Sequence, residues 1–225
     1  MVANVCIVAV LLGLGIAVFT VDMSAVFLSV SAPIYQGNAG RKNVSLMINV
    51  YWGTEFIKPM MQVLESEGAQ ATFFLGGSWV QGNMALTRDI ANAFEVGSHA
   101  YTHKDMKTMS ELNQRKELQN THELVKSVTG VDMKLFAPPS GSFGKTTLKV
   151  AESMGYSTIM WSKDTIDWRD KDRDLVFNRA TRNLKNGDLV LMHPTEHTLA
   201  ALPDIIKFYK EQGFSVVSVT RNIEN

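Results

Sequence analysis

The chain has 225 residues and a mass of 25.0 kDa, with 45% hydrophobic and 20% charged residues, which excludes a disordered chain and allows one sizeable core. Lys+Arg and Asp+Glu number 22 each, so the net charge is zero, without the basic excess of a nucleic-acid binder. The single cysteine, Cys6, excludes an intramolecular disulfide framework and a multi-cysteine zinc site, leaving the 5 histidines and the carboxylates as the available metal ligands.

The chain opens on an apolar stretch, Val2 to Val21, with Asn4 as its only strongly polar member. A second apolar run, Ser24 to Val30, follows Asp22. A spanning helix needs about 20 apolar residues, so residues 1–32 read as a membrane anchor or signal segment that contacts the membrane through residues 2–30. An uncleaved anchor and a signal peptide cleaved near Ser29, Ser31 or Ala32 both fit, and a buried core helix is the remaining alternative. Arg41 and Lys42 lie after the segment, which by the positive-inside rule alone would leave the following domain in the cytoplasm. Residues 33–42 read as a polar linker and residues 43–225 as the domain.

From Val44 onward strand-like and helix-like segments alternate. Buried strands are expected at Val44–Val50, Ala71–Leu75, Lys134–Phe136, Ser157–Trp161, Leu189–Met192 and Phe214–Val219. Helices are expected at Phe56–Glu67, Met84–Phe94 (with Gly97 as a stop signal), Glu111–Val128 (capped by Ser110), Thr146–Met154, Asp174–Leu184 and Leu199–Gln212. The alternation implies an α/β domain of parallel strands with about seven units, a small or incomplete barrel, with an open doubly wound sheet as the alternative. Gly76-Gly77 follows a strand, but no phosphate-binding glycine motif accompanies it.

Chemistry-bearing residues gather where strands end. His99 and His103, four apart, can reach one metal ion, although such a pair also occurs as plain loop histidines. Asp164 and Asp167, beside Trp168, fit either a pocket wall or a capped turn. His193 directly follows an apolar strand, where an imidazole can serve as acid or base near neutral pH with Asp167 as its tuning carboxylate. Phe136-Ala137-Pro138-Pro139-Ser140-Gly141 is a rigid turn that can aim a backbone N–H at an oxyanion.

Taken in order, the stretches VSLMINVYWG (44–53), ATFFLGGSW (71–79), GSHAYTHKDM (97–106), LFAPPSGSF (135–143), WSKDTIDW (161–168) and DLVLMHPT (188–195) resemble the polysaccharide deacetylases of carbohydrate esterase family four, the NodB-homology domain. The INVxWG and FAPPSG wording looks most like the sporulation-associated, membrane-anchored branch. The resemblance implies a deformed (β/α)7-type barrel and metal-dependent removal of the N-acetyl group from amino sugars in peptidoglycan or a chitin-like glycan. It implies a divalent ion, usually zinc, on His99 and His103, with His193 as general acid and Asp167 as its partner. It further implies Trp168 as a pocket aromatic, Leu191 at the acetyl pocket, Pro139 and Ser140 at the oxyanion turn, and Tyr51 and Trp52 beside the substrate. A groove lined by Trp52, Trp79 and Trp168 follows, as does a domain on the outer side of the cell membrane, or secreted if the leader is cleaved.

The resemblance breaks at three positions. The general-base aspartate is Asn49, the metal-ligand aspartate falls on Val50 or, shifted by one, Tyr51, and the orienting arginine is Ala137. A carboxamide has no basicity at neutral pH, and general-base assistance is worth about 10²–10⁴-fold. An arginine at position 137 would have no anion to pair with, so the two losses are mutually consistent. The ion is therefore expected to be weakly held or absent, with Glu55 or Tyr51 as substitute ligands. Two functions stay open: a deacetylase with an altered first motif, and a catalytically inactive pseudo-deacetylase that binds envelope glycan. A structural domain of a membrane complex is the third.

Overall fold

A computed structural model describes residues 32–224. The expected membrane segment lies, apart from Ala32, outside the described residues; among these no helix is long and apolar enough to cross a membrane.

The described residues form β1 (Asn43–Val50), α1 (Ile57–Ser66), β2 (Ala71–Leu75), α2 (Gly77–Gly82), α3 (Met84–Ala93), β3 (Glu95–Ser98), α4 (Glu111–Thr129), β4 (Leu135–Phe136), α5 (Lys145–Ser153), β5 (Ser157–Thr158), β6 (Lys163–Asp164), α6 (Arg173–Thr181), β7 (Asp188–Met192), α7 (Glu196–Glu211), β8 (Ser215–Val216) and α8 (Val219–Ile223). The strands run in the order β5-β4-β3-β2-β1-β7-β6, and β8 pairs with the beginning of β1. Every ladder between named strands is parallel. This is the curled sheet of a deformed (β/α) barrel, in which β5 and β6 are edges that do not pair with each other.

Side-chain alternation decides what the sheet does. In β1, Val44, Leu46, Ile48 and Val50 pack into the core under the helices, together with Phe73, Leu75, Val190 and Met192. The intervening Met47 joins Phe74, Leu135, Ala137, Ile159, Leu189 and Val219 in a second core on the concave side. The concave series therefore ends at Asn49 on β1 and runs through Leu191 to His193 after β7. Register places Ile48 opposite Met192, so Asn49 and His193 emerge side by side at the C-terminal rim.

Several elements differ from expectation. Gly97 lies within β3 rather than ending a helix; a Cβ there would sit 2.7 Å from the Phe74 ring. The expected strand Ser157–Trp161 pairs with β4 only over Ser157–Thr158, with one isolated bridge at Ile159, and Phe214–Val219 pairs only over Ser215–Val216. Ser218 then caps α8, accepting from the Arg221 N–H, and the helix replaces the rest of that strand. Ser110 caps α4 as expected, accepting from Asn113. The stretch 33–42 is tied to the sheet: Ile34 bridges to Ile159, Gln36 bridges to Asp188, and the Asn38 N–H donates to the Asn222 carbonyl.

Candidate active-site groove

A groove of about 410 Å³ opens at the C-terminal rim, lined by Asn49, Trp52, His99, His103, Ser140, Trp161, Asp164, Trp168, Leu191 and His193. It brings together residues from every stretch in the resemblance except ATFFLGGSW (71–79).

His99 leaves β3 and is buried. Its Nδ1 lies 2.8 Å from the Ala137 carbonyl, an acceptor only, so Nδ1 carries the hydrogen and the Nε2 lone pair is free. Burial, with the neighbouring His103, pushes its pKa down to about 3, so this imidazole is neutral. His103 lies 5.0 Å away, centroid to centroid, on a turn with Ala100 and His103 at φ 58° and 54°. Glu117 of α4 holds that turn. Its carboxylate accepts from the Tyr101 and Thr102 N–H groups and from the Thr102 hydroxyl. Nothing in the motifs pointed to Glu117, which in the sequence is one of several charged residues of the helix Glu111–Thr129.

Opposite stands His193. Asp167, 1% exposed, accepts the His193 N–H at 2.6 Å, lies 2.7 Å from His193 Nδ1, and takes the Thr198 hydroxyl at 2.6 Å. Burial alone would raise the Asp167 pKa, but the bonds from His193 and Thr198 outweigh it and hold the carboxyl below its ordinary range. The pairing read from the sequence is thus present; Thr198, at the start of α7, was not anticipated.

The third wall departs from catalytic form. Asn49 is 4% exposed and its Oδ1 has no hydrogen-bond partner. Val50 is buried in the core under the helices, so the ligand position of the resemblance is a packing residue. The Tyr51 ring lies flat on His103 at 4.0 Å, which presents the ring face rather than the phenol oxygen. Glu55 is exposed, and its carboxylate accepts the Thr54 N–H at 2.8 Å; those local backbone bonds lower its pKa. Glu55 thus caps its own turn and is not grouped with His99 and His103. Among the described residues no three His, Cys, Asp or Glu side chains are grouped to hold one metal ion. Two imidazoles with one free lone pair fixed at His99 do not fit the three-ligand ion of the resemblance. Ala137 is fully buried and packs into the concave core.

The aromatic residues also sort themselves. Trp52 stacks on His193 at 5.3 Å, and Trp168 is 54% exposed at the groove. Trp79, expected in the groove, is 6% exposed and belongs to the core under the helices, with Nε1 donating to the Gly53 carbonyl at 2.7 Å. It pins the turn carrying Trp52 instead of touching a ligand. Trp161 takes the groove position; a Cβ at Gly141 would meet its ring at 2.7 Å, so the turn must carry glycine there. Ser140, at φ 53°, lines the groove, whereas Pro139 is buried and is not among its lining residues.

The model of the family described as polysaccharide deacetylase matches residues 36–159. The chain belongs to the polysaccharide deacetylase family. The uncharacterized protein YlxY of Bacillus subtilis is 38% identical over 189 residues, 84% of this chain and 59% of that protein, so the chain spans less than two thirds of that relative's length. A peptidoglycan-N-acetylglucosamine deacetylase of Bacillus cereus is 27% identical over 191 residues, covering 82% of this chain and 70% of that protein. Among solved structures, BA3943 of Bacillus anthracis, described as a CE4 family pseudoenzyme, superposes with a TM-score of 0.84 at 42% identity over 86% of this chain and 69% of that one. A mutant of BA3943 with restored enzymatic activity superposes equally well.

Proposed function

We propose that this chain is a pseudoenzyme of the polysaccharide deacetylase family that binds N-acetylated cell-envelope glycan and leaves the acetyl group in place. One observation carries the reading: at the position of the family's general base stands Asn49, buried, neutral and with an unpartnered Oδ1 at the groove wall. A carboxamide there cannot take a proton from water, but it offers an acceptor and donors to an acetamide, the group it would otherwise help to cleave. Sugar rings then lie against Trp52, Trp161 and Trp168, and Leu191 backs the acetyl methyl. The glycan class follows from the relatives that act on peptidoglycan. We place the domain on the outer side of the cell membrane, where that polymer lies, held by residues 2–30 or released after their cleavage, and in the sporulation-associated branch.

A second reading is a deacetylase with an altered first motif. It is favoured by the complete Asp167–His193 pair, which a pure binder does not need. Its ion would rest on His99 and His103 alone. Acetate release from N-acetylglucosamine oligomers and peptidoglycan, with added zinc or cobalt, separates the two. The pseudoenzyme reading expects glycan binding and no acetate above that of His193→Ala and His99→Ala; release that both substitutions abolish overturns it.

A further inference from the structure

A second cavity, of about 420 Å³, lies along the open edge of the sheet beside β6. Its lining includes Lys163, Arg179, Arg182 and Lys185, against two carboxylates, Asp164 and Asp188. The charges are not equivalent. Lys163 is spent on the fold: it lies 3.6 Å from Asp188 and donates to the carbonyls of Arg182 and Asn183. Arg179 is held by Asp170 at 2.6 Å and by the Thr165 carbonyl. The side chains of Arg182 and Lys185 are exposed and have no ion-pair or hydrogen-bond partner among the described residues.

The turn that carries these two cations is fixed. Lys163 grips two of its carbonyls, the Lys185 N–H donates to Asp188, and Asn183 sits in the left-handed region at φ 54°. The fold thus presents two unneutralised cations on a pinned turn over a cavity. Asp164 lines both this cavity and the groove, so the two spaces touch at that one side chain, and the cavity runs from there along β6 toward the start of β7, where the turn with Arg182 and Lys185 lies. Its carboxylate accepts the Ile166 N–H and makes no ion pair with Arg182 or Lys185.

We propose that this cavity is an anion subsite that takes a carboxylate carried by the glycan in the groove, and so selects peptidoglycan over a neutral chitin-like chain. This rests on the glycan-binding reading above. Peptidoglycan bears a lactyl carboxylate on alternate sugars, free where the stem peptide has been removed, and further carboxylates along the stem; a chitin oligomer bears none. An arginine and a lysine on a rigid turn suit a carboxylate, the arginine by a two-point contact and the lysine as a point charge.

The test is binding of the full-length chain, by calorimetry, to three probes of equal glycan length: a chitin oligomer, a peptidoglycan fragment with stem peptides, and the same fragment after their removal. The carboxylate-bearing probes should bind about tenfold or more tightly at low salt, and the advantage should shrink as salt screens the cations. The double substitution Arg182→Ala with Lys185→Ala should remove the advantage and leave the chitin oligomer's Kd unchanged. Arg182→Lys with Lys185→Arg should keep most of it. Advantage with only one fragment identifies the source, lactyl group or stem, and supports the subsite. Equal affinity for all three probes, or an advantage that survives the double alanine variant, overturns it. If no probe binds, the glycan-binding reading falls as well, whereas binding without preference sinks the subsite alone.

Discussion

On one side of the groove, the loop after β6 and the end of β7 hold a buried carboxylate with three donors, from His193 N–H, His193 Nδ1 and Thr198. On the other, β1 and the turn after β4 present a carboxamide with an unpartnered oxygen and an alanine. Both walls lie over one concave core, yet one carries charge and the other none. On the pseudoenzyme reading, the difference teaches that the two halves of the family's site need not stand or fall together. Asp167 is woven into the backbone, so losing it would break the fold locally, while a base and its orienting arginine can leave as a neutral pair without stranding a buried charge.

The largest effect should come from reversing that asymmetry. Asn49→Asp and Ala137→Arg, combined with a carboxylate at Val50 or at Tyr51, should bring zinc-dependent acetate release up by about 10²–10⁴-fold over the parent chain. If every such combination stays silent, the neutral wall is not what withholds turnover. Next, Asp167→Ala should lower stability to denaturant by about 3–5 kcal/mol, because a buried pair loses one partner. A loss below about 1 kcal/mol in that measurement would show the charged wall to be no better anchored than the neutral one.

The pH dependence has a definite sign. The Asp167 carboxyl is held below its ordinary value in the folded chain, so its contribution is full above about pH 4 and fades as pH falls through the lowered folded value. Unfolding curves between about pH 2 and 6 should show this loss in the parent and not in Asp167→Asn. At the groove mouth, Trp168→Ala should weaken glycan binding about tenfold without changing the melting temperature, since the ring is 54% exposed. The smallest effect belongs to Asn49→Ala. Its oxygen has no bond to lose, so stability should move by less than about 1 kcal/mol, while binding of an N-acetylated sugar weakens relative to its deacetylated form.

The long strands were legible because their apolar runs are bounded by turns: β1, β2 and β7 fall where periodicity put them, with His193 at the end of β7, whereas β3 and β6, which lead into His99 and Asp167, were not among the expected strands. The two-residue strands β4, β5, β6 and β8 carry too little pattern to be delimited; their pairing is fixed by neighbours distant in sequence. Trp79 and Trp161 show the same boundary in the site. Both are tryptophans near strand ends, and only the packing of the Gly53 and Gly141 turns decides which is buried and which faces the groove. Arg182 falls within the expected helix Asp174–Leu184, but α6 ends at Thr181, and Lys163 holds the turn that follows by its bonds to the Arg182 and Asn183 carbonyls.

The short stretch Ile34–Gln36 bridges from Ile159, just past β5, to Asp188 at the start of β7, across the side where the strands do not close. In mechanical terms it is a clasp on a split hoop. Tension applied from residues ahead of it would load these two bridges before β1, so the clasp would peel while the groove, built at the far end of β1 and β7, kept its shape. A fragment begun after Gln36 would lack the clasp altogether and leave the split edge of the hoop free to spread.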